Sequence, residues 1–422
     1  MHFYINTLPL TVPIRIPPPI SIPLLQVSQE LVLPPILTYS DDVLYNWAYL
    51  VPPNTHTSCL SHTAESDLDL DPDSDPLFLP LPPIPTIDNL KCLTLFTSTN
   101  DESEFYLASA RIELAGVRML ELMKATMDEI FVGDDLALRR IAQYLKEMAI
   151  ALREMTRLLL NVREGCDPEF FYQQIRPWFK GEDSMPGGRK WIFEGIETVD
   201  GLKPPTELSG PSAGQSALIH AIDVFLGVDH HSSHSTRRDT GDNPASQSPT
   251  KPPPSHSALL TRMRLYMPRH HRAFLTHLST NPRPLRALVE QVTSPSPNLN
   301  PNTELNPPRN VDLLDGYNEA VRALREFRDA HLRIVATYII GPSRRVGSNS
   351  KPEMVWSVPT PNLSINTSGT TTIVPSLSAS SPPAHDSQES SEKGTGGTLL
   401  MPFLKGIRDR TAEAMFSDRQ TG

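Results

Sequence analysis

The chain has 422 residues and a mass of 46.9 kDa, long enough for a sizeable buried core and for two or three domains. With 38 Lys+Arg against 48 Asp+Glu, a net charge of -10 and no long basic block, it is poorly suited to nucleic acid or an anionic membrane as partner. Cys59, Cys92 and Cys166 lie far apart, which excludes a disulfide framework and a CxxC metal site and suits a reducing, cytoplasmic setting.

Residues 1–25 are apolar but rich in proline, which removes backbone donors and breaks helices. The segment lacks a charged start and a small-residue cleavage site, so it does not read as a signal peptide. It is expected to be an extended or disordered arm unrelated to the rest. No apolar run reaches the ~18 residues that span a bilayer.

Helical periodicity then dominates. A helix is expected over 102–131, with Tyr106, Ile112, Met119, Leu122 and Met123 among its apolar positions. The segment 136–162 places Leu138, Ile141, Leu145, Met148, Leu152, Met155 and Leu159 on one stripe, with Asp135 as N-cap. A short helix over DPEFFYQQIRPWF stops near Pro177. WIFEGIETV (191–199) is a minor strand or an extended link. Ser212 can cap a helix that runs to Gly227. Further helices are expected over 258–267, 270–278, 282–292, 311–340 and 399–416. Residues 229–256, 293–310 and 341–393 are rich in Ser, Pro, Thr and Asn and are expected to be disordered insertions.

Several residues could carry chemistry. His331 sits on the apolar stripe of its helix with Leu324, Phe327, Ile334, Val335 and Tyr338. It is either a core histidine bonded to a carbonyl or an axial haem ligand. Arg328, one turn earlier, is either a solvated helix arginine or a partner for a haem propionate. In ELSGPSAGQS, Gly210 and Gly214 permit close backbone approach to a ligand beside a helix start; the alternative is an ordinary capped helix. In FFYQQIRPW, Phe171 and Tyr172 lie about a turn from Arg176. An aromatic wall beside a guanidinium suits an aromatic amino acid, and core packing with a surface arginine is the alternative. KGTGGTLL (393–400) lacks the ending of a P-loop and reads as a lid or a linker. His230, His231 and His234 lie in biased composition and read as a solvated loop.

Taken in chain order, LPPILTYSDDVLYNW, EFYLASARIE, FYQQIRPW, SGPSAGQS, DVFLG, RMRLYMPRHHRAFL, LREFRDAHLRIVATYI and KGTGGTLLMPFL resemble the indoleamine 2,3-dioxygenase family in a fungal form. The resemblance implies an all-α fold: a large helical haem domain (101–422) carrying the insertions, and a truncated small N-terminal domain (26–100). It implies heme b, and insertion of dioxygen into the indole C2=C3 bond of L-tryptophan or a related indoleamine. The product is N-formylkynurenine, the first step toward NAD. Implied partners are the indole, dioxygen and an electron donor, and the chain is expected to be monomeric. His331 matches the proximal ligand of the haem iron. Arg328 matches the propionate arginine and Asp223 its aspartate. Phe171 matches the phenylalanine on the indole, Arg176 the arginine for the substrate carboxylate, and Tyr172 a second aromatic. Phe105 and Ser109 match distal-pocket residues. Ser212, Ala213 and Gly214 match the loop over the distal haem face, and Thr395 the lid threonine. Tyr39 and Val43 match pocket positions from the small domain, and Asp42 stands where some members have cysteine. No side chain is required as acid or base. A second reading is a haem-binding member without turnover that acts as a sensor; a third is a helical interaction protein.

Overall fold

The computed structural model describes residues 1–9, 12–51, 86–184, 189–228, 256–280, 285–293, 311–348, 393–395, 397 and 399–416. The first of these overturn the expectation of a disordered arm. Residues 1–25 contribute helix α1 (His2–Thr7), strand β1 (Ile14–Ile16) and most of helix α2 (Pro18–Leu31). Proline count misleads here because of where the prolines fall. Pro17 is the N-cap of α2 and Pro18 opens it, where a backbone N–H would have no helical partner; only Pro23 lies inside the helix, where it removes one backbone bond. The apolar residues that looked like an arm form a core instead. Ile5, Ile14, Ile16 and Leu25 are buried together with Trp191, Phe193 and Tyr266.

A π-helical turn (Ser40–Leu44) leads into strand β2 (Trp47–Tyr49), which pairs antiparallel with β3 (Leu90–Cys92). The 102–131 segment is two helices, α3 (Asn100–Ala115) and α4 (Val117–Val132), joined at Gly116. A Cβ on Gly116 would lie 2.0 Å from the Leu218 side chain, so the break brings the chain against a later helix. Thr99 caps α3 by accepting from the Glu102 N–H at 3.3 Å.

Helix α5 (Asp135–Gly165) is the axis of the molecule. Its stripe is as expected: Ile141, Leu145, Met148, Leu152 and Met155 are fully buried, and Leu138 and Leu159 are partly so. Its cap is Asp134, one residue earlier than expected, accepting from the Ala137 N–H at 2.7 Å. A capping oxygen reaches a donor two or three residues on, so Asp135 is left in the first turn, where its charge favours the helix dipole.

After one turn of α6 (Pro168–Phe170), the chain continues as a π-turn (Phe171–Ile175) and a 3-10 turn (Arg176–Phe179). Strand β4 (Trp191–Phe193) pairs parallel with β1, Ile14 opposite Trp191. Ser212 caps only the 3-10 turn Ala213–Gln215, while Ser216 caps helix α7 (Ala217–Leu226). Helices α8 (His256–Arg264), α9 (Arg269–Thr280) and α10 (Leu285–Thr293) follow.

Helix α11 (Val311–Val335) packs along α5. Gly316 permits the crossing, since a Cβ there would meet the Ala142 carbonyl oxygen at 2.8 Å. The helix runs on through a π-turn (Ala336–Ile340) into α12 (Gly341–Ser348), so residues 341–348 are helical where disorder was expected. Helix α13 (Leu400–Glu413) closes against α11. The fold is all-α, with strands of three residues each among the described residues. Most of the three expected insertions, and the 230–234 histidine run, lie outside the described residues. No helix among those described is long and apolar enough to cross a membrane.

Candidate functional site

Between α3, α11 and the loops around them lies a cavity of about 300 Å³. Helix α11 supplies Arg328 and His331, and α3 supplies Phe105, Ser109 and Glu113. The turn after α2 supplies Tyr39, Asp42 and Val43. Phe171 and Arg176 come from the segment after α6, Asp223 from α7 and Ser212, Ala213 and Gly214 from the loop before it. Thr395 closes the outline from the Gly-rich segment. Residues distant in the chain therefore line one cavity.

His331 is half-buried, and the exposed part of the ring faces the cavity. It makes no hydrogen bond among the described residues, so it is not a core histidine tied to a carbonyl. Burial, and then the nearby Arg328 cation, push its pKa down to about 4. The ring is neutral near pH 7 and keeps a lone pair for a ligand. Among the described residues no cluster of three or more His, Cys, Asp or Glu could hold a bare metal ion. A single neutral imidazole on an apolar wall is instead what an axial ligand of a metal macrocycle needs.

Arg328 is not solvated. Its Nη2 donates to Asp223 Oδ1 at 2.5 Å, both side chains being less than a tenth exposed. Its Nη1 donates to Thr411 Oγ1 on α13. A buried cation fixed from two helices lies one turn from His331.

On another wall the Phe171 ring packs tilted against that of Phe105, with centroids 4.4 Å apart. Arg176 is buried and its Nη2 donates to the Lys393 carbonyl at 2.8 Å. Tyr172 does not line the cavity. Successive helical residues point in different directions, so with Phe171 turned inward the Tyr172 ring lies beneath the Arg176 guanidinium, 5.1 Å away. The Gly-rich segment is docked on the SGPSAGQS loop. Thr395 Oγ1 donates to the Pro211 carbonyl at 2.5 Å, and the Gly210 N–H donates to the Thr395 carbonyl at 3.2 Å.

Sequence reading did not single out Glu113 or His220. The Glu113 Oε1 accepts from the Tyr39 hydroxyl at 2.9 Å and the Ser216 hydroxyl at 2.6 Å. His220 Nε2 lies 2.9 Å from the Gly214 carbonyl and holds that loop to α7. The one local signal for Glu113 is its place four residues after Ser109 on the same helical face.

Burial raises the Glu113 pKa, and the bonds from Ser216 and Tyr39 offset only part of this. In the folded state the group keeps its proton at pH values where the unfolded chain has lost it. Its contribution is therefore complete below the unfolded value of about 4.3 and is lost as pH rises through the raised folded value. Glu113→Gln keeps an acceptor oxygen and should flatten that decline. Urea midpoints measured upward from about pH 4 check this; superimposable profiles for the two proteins would exclude it.

A family model described as indoleamine 2,3-dioxygenase matches residues 1–414. The match includes the first 25 residues, which are thus not foreign to the family. An indoleamine 2,3-dioxygenase of Saccharomyces cerevisiae is 30% identical over 94% of this chain and 72% of its own length. Indoleamine 2,3-dioxygenase 2 of Mus musculus is 28% identical over 95% of the chain and 73% of its own. A 6-hydroxytryptophan 2,3-dioxygenase of Fusarium equiseti is 26% identical over 95% and 75%. Matched across nearly all its length, this chain belongs to the indoleamine 2,3-dioxygenase family and is an enzyme of the dioxygenase, oxidoreductase type.

Proposed function

We propose that the chain binds heme b at His331 and converts L-tryptophan, or a closely related indole amino acid, to its N-formylkynurenine by inserting both atoms of dioxygen across the indole C2=C3 bond. The observation that carries this reading is one cavity with a neutral, unbonded imidazole on one wall and an aromatic face with a buried arginine on another.

The residues fit a haem. His331 offers a neutral nitrogen, and Ile334, Val335 and Ile407 add apolar wall. Arg328, fixed by Asp223 and Thr411, offers positive charge for a propionate. When bound, the haem supplies the oxygen chemistry, and an electron donor must keep its iron ferrous.

The chain's own residues bind and orient. Phe171 and Phe105, in contact with each other, present one aromatic face against which the indole packs. Arg176 pairs with the substrate carboxylate and Tyr172 supports it from below. Ser109, Tyr39 and Val43 bound the ring pocket. Ser212, Ala213 and Gly214 form a close backbone wall, and Thr395 docked on Pro211 excludes water. Holding the reactants together in a dry site contributes most of what a protein can add to such a reaction. No acid or base is required from a side chain.

The test is product formation from L-tryptophan by haem-loaded, reduced protein. Arg176→Ala should lower kcat/KM about 10- to 100-fold, mainly through KM, as expected for a lost charge-assisted hydrogen bond of about 1.5–3 kcal/mol. Absence of N-formylkynurenine from haem-loaded wild type would overturn the reading.

A further inference from the structure

The Ser40–Leu44 turn carries two adjacent aspartates that do different things. Asp41 is structural: its Oδ2 accepts from the Thr38 N–H and the Thr38 hydroxyl, each at 2.8 Å. Asp42 points elsewhere. It is 6% exposed and lines the cavity, yet its carboxyl makes no hydrogen bond among the described residues. Two other polar side chains of the cavity wall are already engaged. The Tyr106 hydroxyl donates to Glu102 at 3.1 Å, and Glu113 is held by Tyr39 and Ser216.

A polar group that lines a cavity without a protein partner is free to bond what enters it. A carboxyl left so in a cavity wall needs no other occupant if a ligand completes its bonding. Burial, with the negative charges of Asp41 and Glu102, raises its pKa well above the usual carboxylate range. In its neutral form it is both donor and acceptor. Such a group suits a neutral hydroxyl better than a cationic amine, which would prefer an ionised carboxylate. The substrate's own carboxylate is served by Arg176, on a different segment. What remains for Asp42 is the ring.

We propose that Asp42 is a specificity-determining residue that hydrogen-bonds a hydroxyl on the benzo ring of the indole, so that the cavity prefers ring-hydroxylated tryptophans to tryptophan itself. This rests on the indole amino acid reading above and narrows its substrate class. A site built to bond a hydroxyl discriminates strongly against the analogue that lacks it.

The experiment is calorimetric titration of the haem-loaded full chain with L-tryptophan, 5-hydroxy-L-tryptophan and 6-hydroxy-L-tryptophan, for wild type, Asp42→Ala and Asp42→Asn. At least one hydroxylated ligand should bind wild type about 10-fold or more tightly than tryptophan. Asp42→Ala should collapse that ratio toward one, and Asp42→Asn should keep part of it. Thermal melting of Asp42→Ala should be no lower than that of wild type, because the variant removes a cavity-facing carboxyl that makes no hydrogen bond among the described residues. A ratio unchanged in Asp42→Ala, or hydroxylated ligands that bind wild type no tighter than tryptophan, would overturn the proposal. Binding is read separately from turnover, so a preference lost in Asp42→Ala supports the assignment even where no product forms, and the missing product then counts against the dioxygenase reading alone.

Discussion

His331→Ala is expected to yield a folded protein that no longer retains haem through gel filtration and whose product formation falls to background, since the axial ligand sets both attachment and reactivity of the iron. The ring faces a cavity and bonds nothing else among the described residues. Its removal therefore breaks no structural hydrogen bond, and the metal-free chain should melt close to wild type. This separates the two explanations of a dead variant. A chain that keeps its helices and melting temperature but loses the haem absorption band has lost a ligand. Retained haem with retained turnover would mean that another group holds the iron, and the assignment of His331 would fall.

Asp223→Ala carries the largest expected effect on stability. The Arg328 guanidinium is buried between α7, α11 and α13, with Asp223 as its carboxylate and Thr411 as its second acceptor. Removing the carboxylate leaves a buried cation facing only a hydroxyl, which costs about 3–5 kcal/mol. That is a large share of the ~5–15 kcal/mol that holds a typical domain folded. Asp223→Asn, which keeps an acceptor oxygen, should lose less. Replacing both partners, Asp223→Ala with Arg328→Met, should recover much of the loss, because no unpaired charge remains. Urea unfolding of wild type, Asp223→Ala, Arg328→Met and the double variant gives the coupling directly. Equal losses in the single and double variants would show that Arg328 is solvated or finds another partner. Arg328 also lies one turn from His331, so haem affinity should fall in Asp223→Ala even where the chain is still folded.

Some of this molecule was legible residue by residue. The α5 stripe could be read from spacing alone, because helical neighbours are set by a 3.6-residue period that needs no knowledge of the rest of the chain. His331 and Arg328 could be placed on one face for the same reason. Where the reading slipped by a residue, at Asp134 against Asp135, two aspartates competed for one cap and only geometry chose. The single helix expected over 102–131 failed at Gly116, where the close approach of Leu218 is invisible in the helix's own sequence.

The larger errors were long-range. Proline content makes residues 1–25 look like an arm, but Ile14 and Ile16 are strand residues because they pair with Trp191 and Phe193, far along the chain. Residue type groups Tyr172 with Phe171, whereas the packing of Phe171 into the aromatic cluster turns Tyr172 under Arg176. Asp42 could be flagged as an unusual residue. That its neighbour Asp41 takes the turn's hydrogen bonds and leaves it facing a cavity could not.

By itself, then, the sequence determined the helical class, the main buried stripes and a set of residues that resembled a known family. The tertiary structure decided which of those side chains share a wall, which are already bonded and which are left for a ligand. The division follows from range: periodicity and capping act within a few residues, while a cavity is what remains after segments hundreds of residues apart have packed.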